Sequence, residues 1–325
     1  MTPRQLFSIN DEVAFNDAAI TIFNDQAKNC KLYKEFIGYL GINPHNIDSY
    51  LQIPFLPVGF FKNHQIINTP AKPEITFSSS GTTGMLQSKH LVSDVSIYEQ
   101  SFNLAFEQFY GPIADTCLLA LLPSYLERTG SSLIYMIDNL LKQSKHPRSG
   151  YFLHDTSNLH HTLSELKAKG QKTILIGVTY ALLDFIADFP INFPELIVME
   201  TGGMKGKRKE MVREELHAIL CAGFGVNSIH SEYGMTELLS QAYSSGNGIF
   251  KCPGWMRVLL RDTSDPLRLL QHKQTGGINV IDLANINSCS FIATQDLGKL
   301  HPNGSFEVLG RFDDADIRGC NLLVQ

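Results

Sequence analysis

Residues 76–85, TFSSSGTTGM, concentrate hydroxyls and glycines in one short run. Backbone N–H groups in a glycine-rich turn form a concave anion site, and Ser and Thr hydroxyls add donors. Gly81 and Gly84 admit backbone angles that other residues resist. The stretch Ser79-Ser80-Gly81-Thr82-Thr83-Gly84 therefore has the make-up of a phosphate cradle, and equally that of a flexible surface hairpin. It is not a Walker A loop, because no Gly-Lys-Ser/Thr follows Gly84, and it lacks the G-x-G-x-x-G of a dinucleotide fingerprint. Three further segments bear on the choice. SEYGMTE, residues 231–237, offers the aromatic face of Tyr233, the hydroxyl of Thr236 and the carboxylate of Glu237, a set able to hold a base, a phosphate and Mg²⁺. ATQDLG, residues 293–298, puts Asp296 at the end of an apolar run, where one carboxylate can take both hydroxyls of a ribose. GRFDDADIRG, residues 310–319, sets Arg311 close to two acids. Each segment alone also reads as an ordinary turn; the set, in this order, points to a nucleotide.

These residues need a frame, and the chain supplies one. Its 325 residues, 43% hydrophobic and 18% charged, describe a globular protein with a large core. The net charge of −5 and the lack of a basic stripe exclude nucleic acid as an expected partner. The basic run Lys205–Lys209 reads as the solvated start of a helix or as a phosphate contact. No apolar run is long enough to span a bilayer and no signal core opens the chain, so a cytoplasmic protein without membrane insertion is expected. The six cysteines are scattered without a CxxC pair, and are expected to be thiols rather than disulfides or zinc ligands.

Helices are expected over residues 11–40, with Asn10 or Asp11 as the cap of the first and Gly41 as the stop of the second. Beyond the Gly-rich loop, apolar positions Val95, Tyr98, Phe102, Ala105, Phe106 and Phe109 predict a helix near 93–109. CLLALL (117–122), TILIGV (173–178) and ELIVME (195–200) read as buried strands, alternating with helices over 131–143, 159–169 and 206–220. Such alternation is the pattern of a parallel sheet covered on both faces, an α/β fold. After residue 245 short strands punctuated by Gly, Asn and Asp predict a smaller, mainly antiparallel part. The expected organisation is a helical N-terminal region over 1–74, an α/β nucleotide-binding core over 75–244, and a β-rich subdomain over 245–325 ending in a short tail that carries Cys320.

Taken together, SSSGTTG, YGMTE, TQD and GRFDDADIRG resemble the phosphate loop, second motif, ribose-binding motif and hinge motif of the adenylate-forming superfamily of acyl-CoA synthetases, adenylation domains and luciferases. Gly202 and Gly203 of METGGMKG match the segment that lines the family's adenine and acyl pocket. Two departures stand out: Met85-Leu86-Gln87-Ser88 replaces the usual Pro-Lys-Gly, leaving Lys89 as the nearest lysine, and the sequence ends soon after the hinge motif. The resemblance therefore implies the superfamily's large N-terminal domain, with its mobile C-terminal domain and adenylation lysine expected to be absent. IPFLPVGFFKNHQI, TGGMKGKR and the ending DIRGCNLLVQ narrow the resemblance to the acyl-protein synthetases, the fatty-acid-activating component of the bacterial luminescence reductase complex.

That resemblance implies ATP and Mg²⁺ as cofactors, with Mg²⁺ on Glu237. Asp296 falls to the ribose, Arg311 to the ribose or phosphate and Tyr233 to the adenine, with Gly234 also in the nucleotide site. Thr236 and Glu237 join Cys320 as catalytic residues. Cys320 would accept the activated acyl group; a thiolate is a strong nucleophile toward an acyl adenylate, and Arg318 nearby favours the thiolate. Lys205 or Lys89 stands as a replacement for the missing lysine, and His230 as a lining residue. The implied partners are a carboxylic, fatty, acid and an acyl-accepting reductase or carrier protein. Three other outcomes stay open: an acyl-CoA ligase, an enzyme that loads a carrier protein, and a nucleotide-binding half-enzyme that needs a partner.

Overall fold

The computed structural model describes residues 1–79, 86–123, 129–202, 211–271 and 274–312. The chain divides into two compact units, one made of residues 1–70 with those from 254 onward, the other of residues 71–253.

The first unit opens with α1 (Pro3–Phe7), α2 (Glu12–Asn29) and α3 (Lys31–Tyr39). Asp11 caps α2, its carboxylate accepting from the Ala14 N–H at 2.8 Å, and Gly41 takes a left-handed φ of 69° just beyond α3. IPFLPVGFFKNHQI forms the two-residue strand β1 (Leu56–Pro57) and the single turn α4 (Phe60–Asn63).

The second unit begins with the hairpin of β2 (Ile75–Ser78) and β3 (Lys89–Val92). The chain then runs α5 (Val95–Tyr110), β4 (Cys117–Leu121), α6 (Ser132–Ser144), β5 (Gly150–Tyr151) and α7 (Thr156–Ala168). It continues through β6 (Thr173–Val178), α8 (Thr179–Asp188), β7 (Ile197–Thr201), α9 (Arg213–Phe224) and β8 (His230–Tyr233), and ends with β9 (Ala242–Ser244) and β10 (Ile249–Lys251). Strands β5-β4-β6-β7-β8 pair in that order and in parallel, and β9 and β10 follow antiparallel. Every residue of β4 and β6 is buried, as a strand covered on both faces must be. Helix α5 buries Ile97, Tyr98, Phe102, Ala105 and Phe106, an apolar stripe at helical spacing. Each of the large apolar side chains among these, removed from water, contributes roughly 1.5–3 kcal/mol. The α/β expectation is met. Helix α9 is described from Arg213 and runs past the expected end at residue 220 to Phe224, because the stop is Gly225, whose left-handed φ of 67° lets its N–H reach the Cys221 carbonyl at 2.8 Å.

The first unit then resumes with β11 (Met256–Arg261), β12 (Thr275–Asp282), β13 (Phe291–Leu300) and β14 (Phe306–Arg311), an antiparallel meander to which β1 adds in parallel along β13. The mainly antiparallel expectation holds here. Gln26 of α2, wholly buried, fastens the helices to the strands of this unit: its amide donates to the Asn285 carbonyl at 2.9 Å and accepts from the Ser290 N–H at 3.0 Å.

Candidate nucleotide site

Ligand sites in parallel α/β sheets collect at the carboxyl ends of the strands, and here β7 and β8 end in the segments singled out above. In the second unit the Gly-rich segment connects β2 to β3 in sequence. Its base is closed by Ser79 and Ser88, which exchange a backbone bond at 3.1 Å while the Ser79 hydroxyl accepts from the Ser88 N–H at 2.9 Å. Ser80, Gly81, Thr82, Thr83 and Gly84, together with Gly203, Lys205 and Cys320, lie outside the described residues. Lys89 is exposed on β3.

Tyr233 ends β8, buried and edge-on to Phe250 at 5.9 Å. Gly234 is exposed, and a Cβ there would sit 2.4 Å from the Glu232 carboxylate, so this turn admits no side chain without moving Glu232. Thr236 is half-buried and Glu237 buried. Gly202 follows β7 with a left-handed φ of 63°.

Three buried side chains hold these segments, and none was singled out from sequence. The Thr179 hydroxyl donates to the Gly202 carbonyl at 2.8 Å. The Thr201 hydroxyl donates to Glu232 at 2.6 Å, tying the end of β7 to the end of β8. His90 of β3, fully buried, meets the Thr236 carbonyl through Nδ1 at 2.8 Å. A carbonyl only accepts, so Nδ1 carries the proton. Burial pushes the His90 pKa down to about 4, against the opposing pull of the Thr236 bond, and the ring is neutral at neutral pH. Glu232 stood inside the quoted SEYGMTE and was legible as a second carboxylate; His90 and Thr179 carry no local signal. Burial, then the Glu232 charge, also raises the phenols of Tyr98, Tyr110 and Tyr243, so these remain hydrogen-bonding hydroxyls. His230 is half-buried beside Tyr110, 3.4 Å from its hydroxyl, and burial lowers its pKa.

In the first unit Asp296 and Arg311 are partners across β13 and β14, with Arg311 Nε donating to Asp296 Oδ1 at 3.0 Å. Asp296 is buried within β13, whereas the Arg311 side chain is 73% exposed. The next residue, Phe312, donates its N–H to the Gln295 carbonyl at 2.8 Å. Among the described residues no group of three His, Cys, Asp or Glu side chains could by itself hold a metal. A single buried carboxylate such as Glu237 suits Mg²⁺, which takes one or two carboxylates and fills its octahedron with phosphate oxygens and water.

The family model of the acyl-protein synthetases, LuxE, matches residues 3–325, and the chain belongs to that family. No curated protein matches the sequence. Among solved structures, 2-hydroxyisobutyryl-CoA ligase in complex with 2-HIB-AMP and CoA is similar at 13% identity and a TM-score of 0.70, over 96% of this chain and 71% of that one. ATP-bound MatB from Rhodopseudomonas palustris is similar at 18% identity and a TM-score of 0.55, over 73% of this chain and 47% of that one. The matched part thus spans about half the length of MatB. The fold is the mixed α/β fold of the adenylate-forming ligases. No helix among the described residues is long and apolar enough to cross a membrane.

Proposed function

We propose that this protein activates a carboxylic acid with ATP as an acyl adenylate and passes the acyl group to its own Cys320 for delivery to a partner. The observation that carries the reading is the family match, which runs through the Arg318-Gly319-Cys320 ending. In the first half-reaction a carboxylate oxygen attacks the α-phosphorus of ATP, the bond to the β-phosphate bridge breaks, and pyrophosphate leaves. The loop from Ser79 to Gly84 gives N–H and hydroxyl donors to the phosphates, and Thr236 adds one more. Mg²⁺ held by Glu237 would spread the charge of the leaving pyrophosphate. Asp296 takes the ribose hydroxyls, Arg311 the ribose or phosphate, and Gly202, Gly203, Tyr233 and Gly234 border the adenine. In the second half-reaction the Cys320 thiolate attacks the acyl carbon, a C–S bond forms, the C–O bond to phosphate breaks, and AMP leaves. Four of the other thiols are poorly suited to this: burial raises the pKa of Cys30, Cys117, Cys221 and Cys289.

The acid is expected to be a fatty acid and the acceptor a reductase or carrier protein. The test is intact-protein mass after incubation with MgATP and a panel of fatty and aryl acids, wild type beside Cys320→Ser. The expected result is an acyl-sized mass increase in wild type only, with acid-dependent pyrophosphate–ATP exchange in both. Exchange without an adduct in wild type would move the acyl group to coenzyme A or a carrier. Neither exchange nor adduct would leave a half-enzyme.

A further inference from the structure

Two of the segments assigned to the nucleotide, the loop after β2 and the turn after β8, are joined by one side chain. His90 pairs with Phe77 across β2 and β3, only two residues beyond Ser88, which closes the base of the loop. From this strand its ring reaches the backbone carbonyl of Thr236, 146 positions along the chain. We propose that His90 is a positioning residue for ATP: its Nδ1–H, by holding the Thr236 carbonyl, fixes the Gly-rich hairpin against the Thr236–Glu237 turn. This rests on the reading of loop and turn as the phosphate-binding segments. With the ring at 0% exposure, water does not stand ready to replace the lost donor. The carbonyl then finds a partner only if the turn moves, and Thr236 and Glu237 move with it. The residue acts through Thr236 and touches no reacting atom.

Leucine fills most of the imidazole volume without a donor; asparagine is smaller but returns an amide N–H close to the place of Nδ1. The test is the dissociation constant of MgATP by titration calorimetry, with kcat and KM for ATP in the exchange reaction, for wild type, His90→Leu and His90→Asn, and the unfolding midpoint of each. The expected result is MgATP binding weakened on the order of tenfold in His90→Leu, with KM rising more than kcat falls. His90→Asn regains most of the affinity in spite of the cavity it opens. A merely structural histidine would lower the midpoint and leave affinity and KM alone. Wild-type affinity in a folded His90→Leu overturns the inference and leaves the nucleotide reading standing; equal impairment of Leu and Asn variants overturns it in favour of ring packing. Should His90→Leu not fold, His90→Asn decides: affinity close to wild type is the expected result, and tenfold loss overturns it. A wild-type protein that does not bind MgATP overturns both the inference and the reading beneath it.

Discussion

Asp296 combines a buried place on β13 with a cationic neighbour, Arg311, that is largely in solvent. An ion pair with one partner so exposed contributes little to stability, because water screens it and the long side chain loses freedom in making it. Its effect is on direction: Arg311 Nε engages Oδ1 and fixes the plane of the carboxylate. Asp296→Asn keeps the shape and removes the charge. It is expected to weaken MgATP binding about tenfold, the size of losing a charge-assisted hydrogen bond, with little change in the unfolding midpoint. Calorimetric titration checks this, and an unchanged affinity would take Asp296 out of the nucleotide site. Asp296 could be proposed from sequence because TQD is a local signal. Thr179, Thr201 and His90 could not, since the bonds through which they act reach residues at least 21 positions away, and such bonds leave no trace in periodicity or in a motif.

Among elements, those that stood out in sequence were the ones whose burial is uniform or strictly periodic. TILIGV became β6 residue for residue, since a strand covered on both faces is an unbroken apolar run. Helix α8 (TYALLDFIAD) follows β6 without a break and stayed hidden, because its apolar residues continue the run of the strand before it. The end of α9 was placed four residues early for a different reason: the apolar pattern weakens after Leu220, but the stop is set by backbone conformation at Gly225. That glycine gives a test at this scale. A Cβ at Gly225 would lie 2.6 Å from Cα of Asn192, and its φ of 67° is costly for an L side chain. Gly225→Ala therefore meets both a left-handed penalty of about 1–2 kcal/mol and a backbone collision, and the chain between α8 and α9 must shift. The expected outcome is a clear drop in thermal midpoint; a midpoint equal to wild type would mean that the Asn192 backbone yields freely.

At the scale of the whole molecule three histidines, His90 buried and His146 and His230 half-buried, set how stability answers to acid. Burial lowers the pKa of His90, His146 and His230, so all three favour the neutral form in the folded protein. A group whose folded pKa lies below its unfolded one binds more protons in the unfolded chain at intermediate pH, and stability there rises with pH. For His90 the window runs from the ordinary 6.5 down to about 4. Its contribution is intact above the upper value and is lost as pH falls through the window, to the extent of about 3 kcal/mol, from a shift of some two and a half units at 1.36 kcal/mol each. His146 and His230 add in the same direction. Carboxylates held by partners lose stability at lower pH still, so the first part of the acid decline belongs to the histidines. Thermal unfolding followed by circular dichroism at pH values across this window should show a midpoint that falls with pH in wild type and falls less steeply in a folded His90→Leu variant, because leucine has no proton to take up. Equal slopes would mean that His90 gains a proton in the folded state as easily as in the unfolded one, and that its ring is far less sealed from water than its place on β3 requires.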